Sequence, residues 1–124
     1  MQRGMQDSLL HFACDELDGN LWVAMKHNFS LPEHLRAEAQ VRAAVAFELE
    51  RSFGTLRKRL GDNAYCAGEE LTVPDIVIGH CCRWAQASGF ADQAALVSDY
   101  FERLSQRPAF QKAVEIREQA ASQS

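Results

Sequence analysis

The segment Leu-Thr-Val-Pro-Asp-Ile in the second half of the chain constrains the fold most, because it predicts the start of a helix. Thr72 is the predicted N-cap. Its hydroxyl can accept a hydrogen bond from the Asp75 amide, and the Asp75 carboxylate can accept one from the Thr72 amide. Pro74 has no amide hydrogen and a fixed φ that suits a first helical turn. Leu71 and Ile76 flank this capping box at the spacing of a hydrophobic staple.

The residues that follow predict that this helix is buried. They carry no formal charge before Arg83, so the helix is apolar on nearly every side, which is typical of a buried helix. Three consecutive β-branched residues also suit a strand. The capping box and the continuation through Trp84 to Gly89 favour a helix. We therefore expect a central helix that begins near Thr72.

Composition restricts the class of protein. The 124 residues are 47% hydrophobic, which fits one domain with its own core. The net charge of −4 argues against a general nucleic-acid binder, and we interpret Arg57, Lys58 and Arg59 as a solvated helix end. There is no apolar run of membrane-spanning length and no signal peptide, so we expect a cytoplasmic protein with reduced thiols that does not bind membranes.

Two long helices are predicted before the central one. The first spans about residues 6–27, with an interruption at Gly19 and Asn20. Its stripe consists of apolar residues at helical spacing, namely Leu10, Cys14, Leu17, Leu21 and Met25. Ser30 is the predicted cap of the second helix, which Gly61 ends. Its stripe is predicted to comprise Leu35, Ala39, Ala43, Ala46, Leu49, Phe53, Leu56 and Leu60, and its alanines would allow close helix approach.

Two further helices complete the prediction. Asp92 is the predicted cap of the fourth helix, and Pro108 opens a short fifth one. The predicted inward-facing residues are Leu96, Val97, Tyr100, Phe101 and Leu104 on the fourth helix and Phe110, Ala113 and Val114 on the fifth. The fold class is therefore predicted to be all-α, a five-helix bundle over residues 1–117 with a frayed tail at 118–124.

No catalytic residue and no metal site can be assigned from the residues alone. His11 and Asp15 lie four apart, and His80 adjoins two cysteines, but neither set supplies three or four converging ligands. We expect Cys66 to be the accessible cysteine, without an activating base nearby. We interpret His80 as a hydrogen-bonded core histidine.

Two stretches resemble the all-helical C-terminal domain of cytosolic glutathione S-transferases. Residues 64–76 are similar to its glycine-containing loop and capping box, and residues 100–110 are similar to its closing pattern, a helix that ends in Arg-Pro before a short apolar helix. By position, Leu71, Thr72, Asp75 and Ile76 correspond to the family's capping box and staple, which are structural.

The resemblance also implies what a complete enzyme of this family contains. A preceding thioredoxin-like domain would bind glutathione and activate its thiol, so we expect this chain to hold no cofactor and to be inactive by itself. The first helix would contribute walls of the electrophile pocket, which implicates Trp22, Met25 and Lys26. From the residues alone, Trp22 and Met25 could form the wall of a ligand pocket, but an aromatic and methionine stripe more often belongs to the core.

The functional prediction follows from this resemblance. The chain would be the hydrophobic-substrate side of a glutathione S-transferase-like protein, whose complete form conjugates glutathione to hydrophobic electrophiles. The alternatives are a non-catalytic protein–protein interaction module and a carrier of small apolar ligands. The reading frame upstream in the gene would distinguish them, because a contiguous thioredoxin-like domain would favour the enzyme.

We also expect a homo-oligomer. Wide apolar stripes on the first two helices suggest an interface with Trp22 and Phe47 as anchors. The alternative is that these stripes are used entirely inside one core.

Overall fold

Five helical segments pack around one apolar core, in a computed structural model that describes residues 2–123. Of residues 2, 3, 29 and 123 it describes the backbone alone. Residues 2–30 form α1, which comprises Gln2–Phe12, Ala13–Asp18, Gly19–Met25 and Lys26–Ser30; α2 is Glu38–Leu60; α3 is Val73–Ala87; residues 91–105 form α4, which comprises Ala91–Ala94, Ala95–Val97 and Ser98–Ser105; and α5 is Pro108–Gln123. The part of the chain described contains no strand, so the predicted all-α five-helix fold is confirmed.

The central helix α3 begins where the capping box predicts. Thr72 has an extended backbone, and the Asp75 carboxylate accepts hydrogen bonds from the Thr72 amide at 2.8 Å and from its hydroxyl at 2.9 Å. The Asp75 amide lies opposite the Thr72 side chain, as the capping box requires. It donates a hydrogen bond to the Thr72 carbonyl oxygen, at 3.0 Å. Leu71 and Ile76 are half-buried, and the staple between them stays a prediction.

Asp75 also connects α3 to two other parts of the chain. Its side chain is fully buried, and its Oδ1 accepts hydrogen bonds from the Cys66 amide at 2.9 Å and from the Tyr100 hydroxyl at 2.7 Å. Cys66 lies in the loop before α3, and Tyr100 lies on α4. A single carboxylate therefore fixes the start of α3, the preceding loop and α4 relative to one another.

The first helix is longer than predicted and contains wide π-helical turns. In a straight α-helix, a step of four residues overshoots one revolution by about 40°, so a row at that spacing drifts around the axis. The π-helical segment Ala13–Asp18 counteracts this drift, and the Gly19 amide donates to the Cys14 carbonyl five residues back. The row that stays buried consists of Leu9, Ala13, Leu17 and Leu21.

Three details of the predicted first helix are wrong, two of them because the faces of the helix differ from those of a straight α-helix. Cys14, predicted to face inward, is exposed, and Met25 is only half-buried, whereas Ala24 is buried. Gly19 has helical dihedral angles and does not interrupt α1. Sequence spacing assumes 3.6 residues per turn, and the π-helical segments alter which residues share a face.

The second helix begins later than predicted, so the assignment of Ser30 as its cap is wrong. Ser30 is the last residue of α1, and Leu31 is extended, which is expected of a residue that precedes proline. A single 3₁₀ turn, Glu33–Leu35, follows before α2 starts at Glu38. The Ala37 amide at this start donates instead to Nδ1 of His27, at 3.0 Å.

Only the second half of the predicted α2 stripe is buried. Ala46 is half-buried, but Ala39 and Ala43 are exposed and Leu35 precedes the helix. At 100° per residue, Ala43 lies about 160° around the axis from the buried Val45. The predicted close approach at these alanines is therefore wrong, and the buried row consists of Val45, Leu49, Ser52, Phe53, Leu56 and Leu60. Gly61 ends the helix with φ 50°, as predicted.

The fourth helix has neither the predicted cap nor the whole predicted inner face, because Leu96, predicted to face inward, is 42% exposed. Phe90 precedes its first turn, no side chain caps it, and Asp92 lies exposed within that turn. A non-helical φ of −124° at Val97 separates the first turns from Ser98–Ser105. Tyr100 and Leu104 are buried as expected.

The last helix is longer than the short one predicted. Phe110 is buried, Ala113 and Val114 are half-buried, and the helix continues to Gln123 with exposed side chains over residues 115–122. Part of the tail predicted to fray is thus helical, and the domain boundary at residue 117 stays a prediction.

Close packing of α5 on α3 depends on Gly79. A Cβ at this position would lie 2.5 Å from Cε2 of Phe110, so the glycine admits the phenyl ring against the central helix.

Within the described residues, no helix is both long enough and apolar enough to cross a bilayer.

The Asp75 network predicts a large stability effect. We expect Asp75→Asn to lower the free energy of unfolding by about 2–3 kcal/mol. The NH₂ group of asparagine is a donor, and it would lie against donors whose hydrogen bonds the carboxylate accepts. Tyr100→Phe should cost about 1 kcal/mol, since it removes one donor. Urea denaturation monitored by circular dichroism measures both changes.

Asp92→Asn is the matched control, because it makes the same substitution in an exposed first turn. It should change the free energy of unfolding by less than about 0.5 kcal/mol. Equal midpoints for Asp75→Asn and Asp92→Asn would contradict the role of this carboxylate.

Candidate functional site

A cleft of about 420 Å³ lies between α1, α3 and α5. Helix α1 contributes its second half, α3 its last turns and α5 its exposed second half. The cleft is mostly apolar and carries a few charged groups at its rim, which is typical of a small-molecule site. Its lining consists of Trp22, Met25, His80, Arg83, Trp84, Ala87, Val114, Arg117, Glu118 and Ala121.

Both tryptophans of the chain form one wall of this cleft. The ring centroids of Trp22 and Trp84 are 5.2 Å apart at an interplanar angle of 85°, an edge-to-face contact. The His80 ring lies 6.1 Å from the Trp84 ring at 34°. The indole of Trp22 remains 45% exposed, so an aromatic surface is accessible to a ligand.

The structure brings together two of the three residues predicted to bind substrate. Trp22 and Met25 line the cleft, whereas Lys26 is exposed and lies outside its lining. Binding itself stays a prediction. Sequence reasoning missed Trp84 and Arg117 as cleft residues. The spacing of His80, Trp84 and Ala87 does place them on one face of α3, but nothing in the sequence shows that α5 leaves this face uncovered.

A smaller compartment of about 280 Å³ adjoins the cleft. It shares His80, Val114 and Arg117 with the larger one, and Cys14 and Asp18 of α1 line its other side. The first π-helical segment contains both of these α1 residues. The two compartments therefore meet at these three shared residues and form one groove.

His80 is the least satisfied polar group in this groove. Its Nε2 is buried and has no hydrogen-bond partner in the described part of the chain, so the predicted hydrogen-bonded core histidine is wrong for this atom. Burial lowers the pKa of His80, as do Arg117 and Arg83, while Asp18 opposes the shift. The imidazole is therefore neutral at pH 7.

The rim of the larger compartment carries an unequal set of charges. Arg83 and Glu118 form an ion pair, with 2.5 Å between Nη2 and Oε1. Arg117 is exposed and makes no ion pair with any described carboxylate. Among the described residues, the Arg117 guanidinium is thus the one charge at the edge of this apolar cleft without an ion-pair partner.

The buried cysteines Cys66 and Cys81 do not supply a nucleophile to this site. Burial and the neighbouring Asp75 carboxylate raise the pKa of Cys66 to about 12, and burial raises the pKa of Cys81 to about 12. Such thiols stay protonated and unreactive. The prediction that Cys66 is the accessible cysteine is wrong, because Cys66 is buried and Cys14 is exposed.

The described side chains do not converge on a metal ion. His11 and Asp15 lie 3.6 Å apart on the surface of α1, with side chains that are 85% and 68% exposed. No group of three or more histidine, cysteine or carboxylate side chains in residues 2–123 could hold a metal.

The lowered pKa of His80 predicts a pH-dependent stability. As the pH falls through about 6.5, the unfolded chain binds a proton that the folded chain binds only at lower pH, so the free energy of unfolding decreases. Above that pH the ring is neutral in both states and contributes no pH dependence. Urea denaturation between about pH 7.5 and pH 5 should show a smaller decrease for His80→Gln than for the natural chain.

His34→Gln is the control, since His34 is exposed in the turn before α2. It should leave the decrease in stability unchanged. Identical pH profiles for the natural chain and His80→Gln would rule out the buried imidazole as their cause.

Comparison with known families agrees with the fold. The family model described as "Glutathione S-transferase, C-terminal domain" matches residues 19–108, more than half of the chain. The match includes Trp22, Met25 and Trp84, and it ends at Pro108, where α5 begins. No match was found among curated proteins. The all-α architecture and the family match together show that the chain belongs to the glutathione S-transferase family, as a C-terminal helical domain.

Proposed function

We propose that this domain binds the hydrophobic electrophile in a glutathione conjugation that a complete family member carries out. The cleft between α1, α3 and α5 is the observation that carries this proposal. Its volume of about 420 Å³ is sufficient for an aromatic ligand of moderate size.

The walls of the cleft favour a planar apolar ligand. The Trp22 and Trp84 rings already contact each other edge to face, so a ligand ring can pack against the exposed part of either indole. An aromatic pair of this kind contributes about 0.5–1.5 kcal/mol beyond the burial of its area. Met25 and Val114 add flexible and aliphatic surface to the same walls.

The described residues support binding rather than thiol activation. The Cys66 and Cys81 thiols are buried and protonated. Nε2 of the neutral His80 forms no hydrogen bond to a nucleophilic side chain among the described residues. In the family that the sequence resembles, the thioredoxin-like domain stabilises the glutathione thiolate. On this proposal the helical domain lowers the barrier by holding the electrophile in position for that thiolate.

Two further proposals concern the setting of the domain. All four cysteines are free, which favours a reducing compartment and therefore a cytoplasmic protein.

Self-association is favoured by Phe47 of α2, which is 66% exposed beside the exposed Ala43 and Ala44 on one face of that helix. Trp22 is partly committed to the cleft, so Phe47 is the stronger candidate for an interface anchor.

Intrinsic fluorescence tests the binding proposal directly, because both tryptophans line the cleft. We expect an aryl halide to quench this fluorescence and saturate, without detectable conjugation to added glutathione. Trp22→Ala should weaken binding about tenfold, since it removes one aromatic wall, and the Trp84 signal remains to report it.

Phe47→Ala is the matched control, because it removes an aromatic side chain outside the cleft. It should leave the dissociation constant unchanged. Linear, non-saturating quenching would contradict a ligand site, and turnover by the chain alone would contradict the division of labour between the domains.

Self-association has its own test. We expect size exclusion with light scattering to give a dimer or larger mass for the natural chain, and a smaller mass for Phe47→Ser, because a buried aromatic anchor would be lost. Leu96→Ser, which alters an exposed apolar residue on α4, serves as the control. A monomer mass for the natural chain across a dilution series would refute this interface.

A further inference from the structure

The groove between α1, α3 and α5 has an uneven distribution of charge that bears on which ligand it accepts. Three charged side chains line the larger compartment, and two of them, Arg83 and Glu118, neutralise each other in an ion pair. The remaining one, Arg117, forms no ion pair with a carboxylate of the described residues, so it gives this compartment a net positive charge among the side chains that line it. Asp18 lines the smaller compartment but not the larger one.

The position of Arg117 relative to the apolar surface matters as much as its charge. Arg117 and Val114 are three residues apart on α5, and both lie where the two compartments meet. The indoles of Trp22 and Trp84 line the same compartment. A ligand with an aromatic body and an acidic end can therefore place each part against matching chemistry.

His80 adds a second polar group at this junction. Its Nε2 is buried without a hydrogen-bond partner in the described residues, and a buried polar atom in that state is destabilising. In the tautomer that carries a hydrogen on Nε2, this nitrogen can donate a hydrogen bond to a carboxylate. Asp18, Arg83 and Arg117 are the charged groups that act on this ring.

We propose that the groove selects aromatic carboxylates over neutral aromatics, with the ring system packed against Trp22 and Trp84 and the carboxylate held by Arg117 beside His80. This inference rests on the proposed binding of aromatic ligands in the cleft, and it goes further by assigning the charge of the ligand. Arg117 lies beyond residues 19–108, so the family match does not bear on this specificity.

A matched pair of ligands separates this inference from the proposed function. 1-Naphthylacetate and 1-naphthylacetamide share one ring system and differ in charge. Isothermal titration calorimetry at pH 7 should show that the acid binds about five- to tenfold tighter than the amide, which is the scale of one partly exposed ion pair plus one hydrogen bond. Arg117→Gln should abolish this preference by lowering the affinity for the acid more than the affinity for the amide.

Lys112→Gln is the control variant. It removes one positive charge from an exposed position on the same helix, outside the cleft lining. It should keep the preference for the acid. If Lys112→Gln abolishes the preference as well, net charge rather than the position of Arg117 is responsible, and the inference is wrong.

The possible outcomes have distinct meanings. Equal affinity of the natural chain for acid and amide would refute carboxylate selection while leaving the aromatic site intact. No binding of either ligand would refute both the site and its specificity. A preference that persists in Arg117→Gln would refute the role of this arginine.

Proton NMR tests the contribution of His80. The His80 ring signal, identified by its absence from His80→Gln, should move when 1-naphthylacetate is added and should move less with 1-naphthylacetamide. An unmoved His80 signal at saturation with the acid would remove this residue from the carboxylate site.

Discussion

The buried carboxylate of Asp75 is the interaction on which the arrangement of the helices depends. A carboxylate in an apolar interior is costly unless hydrogen bonds satisfy it. Here the four donors are neutral groups: the Thr72 amide and hydroxyl, the Cys66 amide and the Tyr100 hydroxyl. Burial and Asp75 raise the pKa of Tyr100, so that hydroxyl keeps its proton. Losing one donor would leave the others around a poorly satisfied charge, which makes the start of α3, its preceding loop and α4 mutually dependent.

The candidate site depends on this arrangement because α3 contributes to both. Its first turn is fixed by Asp75, and its later turns present His80 and Trp84 to the groove. Gly79, directly before His80, leaves room for the Phe110 ring and thereby sets how closely α5 approaches α3. Beyond Phe110, Val114 and Arg117 of α5 line the cleft. The stability of the core and the shape of the site are therefore two consequences of how one helix is held.

Sequence reasoning succeeded where the determinants are local and failed where they are not. The capping box at Thr72 and the helix end at Gly61 were predicted correctly, because each involves a few neighbouring residues. The cap at Ser30 was wrong, because α1 continues through Ser30 and the amide at the start of α2, that of Ala37, instead donates to His27, ten residues away in the chain. Family resemblance implicated Trp22 and Met25, which line the cleft, whereas Arg117 was missed, since its place in the lining depends on which face of α5 is left uncovered.

The sequence by itself determined the fold class, the central helix and its cap, and the membership in a family of helical domains. The fold class and the central helix follow from hydrogen bonds and periodicity within a few turns of chain, whereas the family follows from the resemblance of residues 64–76 and 100–110 to its helical domain. Only the tertiary structure decided that Asp75 also binds Cys66 and Tyr100, that Cys14 is exposed and Cys66 buried, and that two tryptophans meet in a cleft. Each of these depends on contacts between residues far apart in the chain, and on the π-helical turns of α1 that alter its faces, which spacing at 3.6 residues per turn does not encode.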